Sequence, residues 1–223
     1  MDIIHTFFNF EVLKNSMPAL LSGMVITVLL GTVCCIASSV LGLFVALLRL
    51  YGNSVCRTAM AAYIDVFRSI PMLVLLVLIY YALPFVGIRL SSFASAATAL
   101  SLVAGAYTAE IFRAGIQAIP KGQFEAASTI GLGFFDTMRD VVLPQAFRLV
   151  LPPLTGNAIS VLKDTALASV VAMPDLLKQA TQAQSLAANP TPLIGAAVLY
   201  LILLLPLVQL VSRFENRNLL AGR

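Results

Sequence analysis

Long stretches of this chain carry no charged side chain. Thirty-four residues separate Lys14 from Arg49, 20 separate Arg68 from Arg89, and another 20 lie between Arg89 and Glu110. Two further stretches follow: 149–174, interrupted only by Lys163-Asp164, and 179–212, which holds the polar run Asn189-Pro190-Thr191-Pro192. A helix crossing the hydrocarbon of a bilayer needs about 20 largely apolar residues. The pattern therefore predicts five spanning helices, at about 18–48, 58–83, 94–117, 146–171 and 193–212. The chain reads as a single all-α polytopic domain over 1–223. Between the fourth and fifth spans, Leu176, Leu177, Ala180, Ala183 and Leu186 recur at helical spacing. They predict a short amphipathic helix over about 174–188, ended by Asn189-Pro190.

Composition agrees. Hydrophobic residues make up 60% of the 223 and charged residues 11%, with a mean hydropathy of +0.95. Soluble domains carry roughly 45–50% and about 25%. So few charges cannot cover a soluble surface, which excludes a nucleic-acid binder, a disordered tail and a secreted disulfide scaffold. Cys34, Cys35 and Cys56 fit no metal-ligand spacing, and His5 is the sole histidine, so no metal site is expected. Asp2 and Glu11 stand where a cleavable signal peptide would carry positive charge.

Lysine and arginine set the orientation. Arg49 and Arg57 flank the first turn, Arg113, Lys121, Arg139 and Arg148 surround the connection after the third span, and Arg213, Arg217 and Arg223 follow the fifth. With five spans these nine share one side, against Lys14, Arg89 and Lys178 on the other. The expected topology is N-terminus out, C-terminus in the cytoplasm, with the 213–223 tail as a positive anchor.

The long cytoplasmic connection, 118–143, is unlike the rest. Ile119-Pro120-Lys121-Gly122-Gln123 breaks the third span. Phe124-Glu125-Ala126-Ala127-Ser128-Thr129-Ile130 then gives a short helical segment stopped by Gly131 and Gly133. A second amphipathic piece, 134–143, is expected to end at Pro144. The small residues Ala126, Ala127 and Ser128 would let another backbone approach closely. Such a helix, lying parallel to the membrane, suits a groove on a partner.

The run Glu125-Ala126-Ala127, Gly131 and Val141-Val142-Leu143-Pro144, at this spacing over 20 residues, resembles the "EAA" loop of ABC-importer permeases, with valine where isoleucine is usual. Val66-Phe67-Arg68-Ser69-Ile70-Pro71, the run from Gly105 to Gly115 and Leu162-Lys163-Asp164-Thr165-Ala166-Leu167 are similar to the polar amino-acid (histidine/glutamate/glutamine/arginine) subfamily of binding-protein-dependent systems. The resemblance implies a type I importer fold. Glu125, Ala126, Ala127, Gly131, Leu143 and Pro144 would form a coupling helix against a dimer of ATP-binding subunits. It also implies a second permease chain, identical or homologous, an external or periplasmic substrate-binding protein, and a place in the bacterial cytoplasmic membrane. ATP and magnesium would reside on the ATPase partner. This chain has no Gly-x-x-x-x-Gly-Lys-Ser/Thr phosphate loop and is expected to be a transport subunit with no catalytic residues.

Charges inside spans are costly and usually have a partner or a task. Counted from the cytoplasmic helix ends at about 1.5 Å per residue, Arg68, Glu110 and Asp164 fall at comparable depth, near the midplane where transporter sites tend to lie. The guanidinium of Arg68 suits a substrate carboxylate and Glu110 or Asp164 an ammonium, with Ser69, Met72 and Thr165 as lining. Pro71 would unsettle the helix beside them. An ion-pair network accounts for the same charges without a ligand, since Asp65 and Arg68, and Glu110 and Arg113, stand three apart on helices. Lys163 would welcome an acidic side chain and Asp164 a basic one, so the sequence names no amino acid. A self-sufficient transporter driven by an ion gradient, using Glu110 and Asp164 as proton carriers, is the alternative. Such folds usually show inverted repeats, and no matching halves stand out here.

Overall fold

The structure, a computed structural model, describes residues 7–221, with side chains as far as Val211. His5 and the side chains of Arg213, Arg217 and Arg223 lie outside the described residues. Among those described, the regular structure is helical throughout. Helix α1 (Phe10–Tyr51) begins eight residues earlier than its apolar stretch requires, because Asn9 caps it: the Asn9 side-chain oxygen accepts from the amides of Glu11 and Val12, each at 3.1 Å. Helix α2 (Ser54–Ser69) is likewise started by Asn53, which accepts from the Cys56 amide at 2.8 Å.

Pro71 does more than unsettle a helix. It forces Ile70 into extended backbone (φ −77°, ψ 131°), so α2 stops at Ser69 and helix α3 (Met72–Val77) starts anew. The single span predicted at 58–83 is thus two helices. The second continues through a π turn (Leu78–Ala82) and a 3-10 turn (Leu83–Val86) to Gly87 at φ +85°. Helix α4 (Ser92–Gln117) corresponds to the third predicted span.

After it come α5 (Lys121–Thr129), the single turn α6 (Phe134–Asp136), a π segment (Thr137–Val142) and α7 (Leu143–Asp164). Here the structure corrects a second expectation, because Pro144 does not end a helix. It lies within an unbroken helical run from Phe134 to Asp164, directly after the π segment, where the regular i→i−4 ladder is already interrupted. The far end of the predicted fourth span is not α-helical either: Thr165–Val171 is a 3-10 segment closed by Ala172 at φ +57°. Helix α8 (Leu176–Ala187) is the predicted amphipathic piece, and α9 (Thr191–Ala221) is the last. Leu176 and Ala180 are buried as their spacing implied, whereas Leu186 is 89% exposed and lies off the packed face.

Among the described residues, three segments are individually long and apolar enough to cross a membrane: α1, α4 and Thr191–Val211 of α9. The broken pair α2 and α3 passes the same test when taken together. Helix α7, with Arg148, Lys163, Asp164 and two internal prolines, is not among them.

The chain forms two compact units. The first comprises Met1–Cys35, Pro71–Leu100 and Ala158–Arg223, and the second Ile36–Ile70 and Ser101–Asn157. In the first, Leu20, Leu176, Ala180 and Ala196 form a buried cluster, and the Leu176 amide donates to the Thr27 hydroxyl at 3.1 Å. In the second, Val45, Ile64 and Ala109 pack together. Close approach of α1 and α4 depends there on Gly42, since a Cβ at that position would stand 2.5 Å from Thr108 Cγ2.

Candidate functional site

Within the second unit, α5 rests on an apolar base. Ile116, Ile119, Met138, Val142 and Ala146 form a buried cluster, with Phe124 and Leu143 packed against it. Phe124 and Ala127, three apart, point inward, and Ala127 is 3% exposed. Glu125, Ala126, Ser128 and Thr129 are left outward, as is Pro144. Apolar surface continues from that face, because Ile130, Phe134 and Phe135 are 76%, 60% and 75% exposed.

The stop at the end of α5 is a Schellman motif. The Leu132 amide donates to the Ala127 carbonyl at 3.1 Å and the Gly131 amide to the Ser128 carbonyl at 3.0 Å. Gly131 sits at φ +82°, and nothing lies within 4 Å of where its Cβ would be. The position needs glycine for its backbone, not for space. Of the six residues assigned to coupling, Glu125, Ala126, Gly131 and Pro144 are therefore presented outward, while Ala127 and Leu143 hold the segment to its base.

The charges of the second unit assemble around Glu110. Arg49 and Arg113 both pair with its carboxylate, Arg113 Nη2 at 2.7 Å. Arg113 Nη1 also donates to the Gln117 side-chain oxygen at 2.6 Å. The guanidinium of Arg68 lies 5.3 Å from the ring centre of Tyr107, one turn before Glu110, near enough for the two charges to interact. So Arg68 and Glu110 are brought to one face of α4, with Arg68 and Ser69 exposed at the end of α2. Arg49 is in the last turn of α1, so the pair joins Glu110 to that end of the helix. The i, i+3 pair with Arg113 foreseen from spacing is present. The pair Asp65–Arg68 is absent from the ion pairs among the described residues.

Met72, Asp164 and Thr165 belong to the first unit. Helix α3 packs against the 3-10 segment that begins at Thr165. Thr165 is fully buried and its hydroxyl donates to the Leu162 carbonyl at 2.7 Å, whereas Lys163 and Asp164 are exposed and Met72 is half-buried.

Three polar residues matter more than sequence reasoning suggested. Arg49 entered it only as a topological charge, although Glu110 in a neighbouring span called for a cation. Asn157, in the middle of α7, donates to the Thr108 hydroxyl at 3.0 Å and ties α7 to α4; a polar residue within an apolar stretch was the available signal. Asp175 is wholly buried and caps α8 by accepting from the Lys178 amide at 2.9 Å. Its second oxygen has no hydrogen-bond partner among the described residues. Burial pushes its carboxyl up to about 6, against the opposing pull of backbone amides and Lys178.

Residues 38–219 match the family described as "Binding-protein-dependent transport system inner membrane component". A putative glutamine transport system permease protein of Rickettsia bellii is 35% identical, over 96% of this chain and 100% of its own length. The L-cystine transport system permease protein TcyB of Bacillus subtilis is 40% identical, over 86% of this chain and 84% of its own. A crystal structure of an amino acid ABC transporter superposes with a TM-score of 0.85 at 36% identity, covering 94% of this chain and 98% of that one.

Proposed function

The chain belongs to the binding-protein-dependent transport system inner membrane component family, and from that we infer that it is the permease subunit of an ATP-driven importer for an amino acid. Hydrolysis belongs to a separate chain, so this subunit is a transport component and not an enzyme. The observation that carries the mechanism is the outward face of α5, with Glu125 and Ala126 exposed on a helix whose opposite face is anchored in an apolar cluster. A segment gripped on one side and free on the other can pass a push into α4 and α7, because the same cluster includes residues of both helices. A loosely tethered loop could not.

In this reading α7 with its 3-10 extension is the fourth of five crossings, the N-terminus lies outside, and the nine positive residues of one side face the cytoplasm of a bacterial cell. Two permease chains, identical or homologous, would sit on an ATPase dimer holding ATP and magnesium, and an external binding protein would deliver the substrate. Arg68 with Ser69, and Asp164 with Thr165 and Met72, stay the candidate substrate contacts. Glu110 is already satisfied by two arginines and is better suited to fixing α1 against α4.

The test is uptake of a labelled amino acid by liposomes holding this chain with its ATPase and binding protein. ATP-dependent uptake that survives collapse of ion gradients is expected. Gradient-driven uptake by the chain alone, without ATP, would establish the secondary-transporter alternative.

A further inference from the structure

Beyond the paired charges of Glu110, the second unit contains a basic cleft of about 390 Å³ where α1 gives way to α2. Arg49, Arg57 and Arg113 line it, together with Ser54, Thr58 and Gln117. One carboxylate, Glu110, answers two of these arginines, and no ion pair engages Arg57 among the described residues. Three positive charges against one negative leave a surplus at the cleft. Ser54, Arg57 and Thr58 recur at one-turn spacing, so a single face of α2 contributes a guanidinium and two hydroxyls. They belong to the start of a 16-residue helix, the end at which the helix dipole favours an anion.

We propose that this cleft binds the phosphate of an anionic phospholipid headgroup at the cytoplasmic face. An arginine fork and two hydroxyls match tetrahedral phosphate oxygens. A lipid is favoured over a soluble phosphate by what adjoins the cleft in the chain. Tyr51 and Val55, the chain neighbours of the cleft residues Leu50 and Ser54, are large hydrophobic side chains 42% and 78% exposed. Such a surface suits acyl chains, and a free anion would have no use for it. The assignment takes from the functional reading only that this end of α1 meets the cytoplasmic leaflet. Its consequence is regulatory: Tyr51 also meets the ring of Phe134 edge-on at 5.0 Å, so lipid occupancy adjoins the coupling segment.

The experiment is native mass spectrometry of the full complex released from nanodiscs of mixed phosphatidylglycerol and phosphatidylcholine. Arg57→Gln, Arg57→Lys and Arg139→Gln are compared with wild type, and inorganic phosphate is titrated as competitor. Wild type should retain phosphatidylglycerol preferentially. Arg57→Gln should lower that retention roughly tenfold, the scale of one lost charge-assisted contact. Arg57→Lys should keep most of it, and Arg139→Gln, exposed on the π segment outside the cleft, should match wild type. Equal retention of both lipids, or a preference that Arg57→Gln leaves intact, would overturn the proposal. So would binding of inorganic phosphate sensitive to Arg57 with no lipid preference, which would assign the cleft to a soluble anion. Lipid retention is read without transport, so its failure is separable from failure of the importer reading.

Discussion

Gly131 and Asp175 show how single positions carry distinct physical demands. Because Gly131 lies at φ +82° in open space, a β-branched residue there should cost about 1–2 kcal/mol in left-handed strain while clashing with nothing. Gly131→Val should therefore weaken ATP-driven uptake. Gly131→Asn, which tolerates that conformation, should retain most of it, and uptake assays on the two variants check this. Equal loss in both would point to the missing side chain and not the turn. For Asp175 the folded pKa, about 6, stands above its ordinary 3.8. The folded state thus holds a proton that the unfolded state releases, and stability from this group is full below about pH 4 and is lost as pH rises through about 6. Thermal unfolding in detergent should show Tm falling over that window. Asp175→Asn, which keeps the cap, should flatten the slope and raise Tm at neutral pH. A pH profile identical to wild type would remove the burial argument.

Residue scale also marks where sequence reasoning ran short. Nothing in the spacing paired Arg49 with Glu110, since they stand 61 residues apart and meet only through helix packing. Removing Arg49 should now cost about 1 kcal/mol given the pair's partial exposure, removing Glu110 more because it also answers Arg113, and a double-mutant cycle of Arg49→Gln with Glu110→Gln should show the two losses to be non-additive. Additive losses would mean that the pair is not coupled.

At the scale of elements, the uncharged intervals located the helices well because lipid demands length and apolarity and little else. The interruptions were harder to read. A break at Pro71 follows from proline chemistry and was half foreseen. The π turns at Leu78–Ala82 and Thr137–Val142 and the 3-10 end of α7 have no comparable local signature, since they are set by what each turn packs against. The ending of helix α5 was legible because its glycine serves a local hydrogen-bond motif, whereas its start lies at Lys121, directly after Pro120, three residues before the expected Phe124. Its outward face continues into exposed Ile130, Phe134 and Phe135, an apolar patch that water does not favour. Phe135→Ser should weaken association with the ATPase without unfolding the permease, a separation that size-exclusion and pull-down measurements can make. Loss of the folded permease itself would show that Phe135 belongs to the core.

Taken as a molecule, the chain puts its two kinds of chemistry in different places. The outward residues proposed for coupling stand on and just beyond α5, whereas the candidate substrate contacts lie at the ends of α2 and α7 and the start of α3. A division of that kind suits a subunit that moves a solute with energy supplied from outside itself. It also makes topology the deciding property, because the positive-inside count and the coupling role both require 121–143 to face the cytosol.

The most direct measurement is therefore crosslinking from α5. A single cysteine introduced as Ser128→Cys, in a chain with Cys34, Cys35 and Cys56 replaced by alanine, should form a specific adduct with the ATPase subunit in intact membranes and stay closed to impermeant thiol reagents added outside. Labelling of that cysteine from the external face, or an adduct only with the external binding protein, would contradict the account.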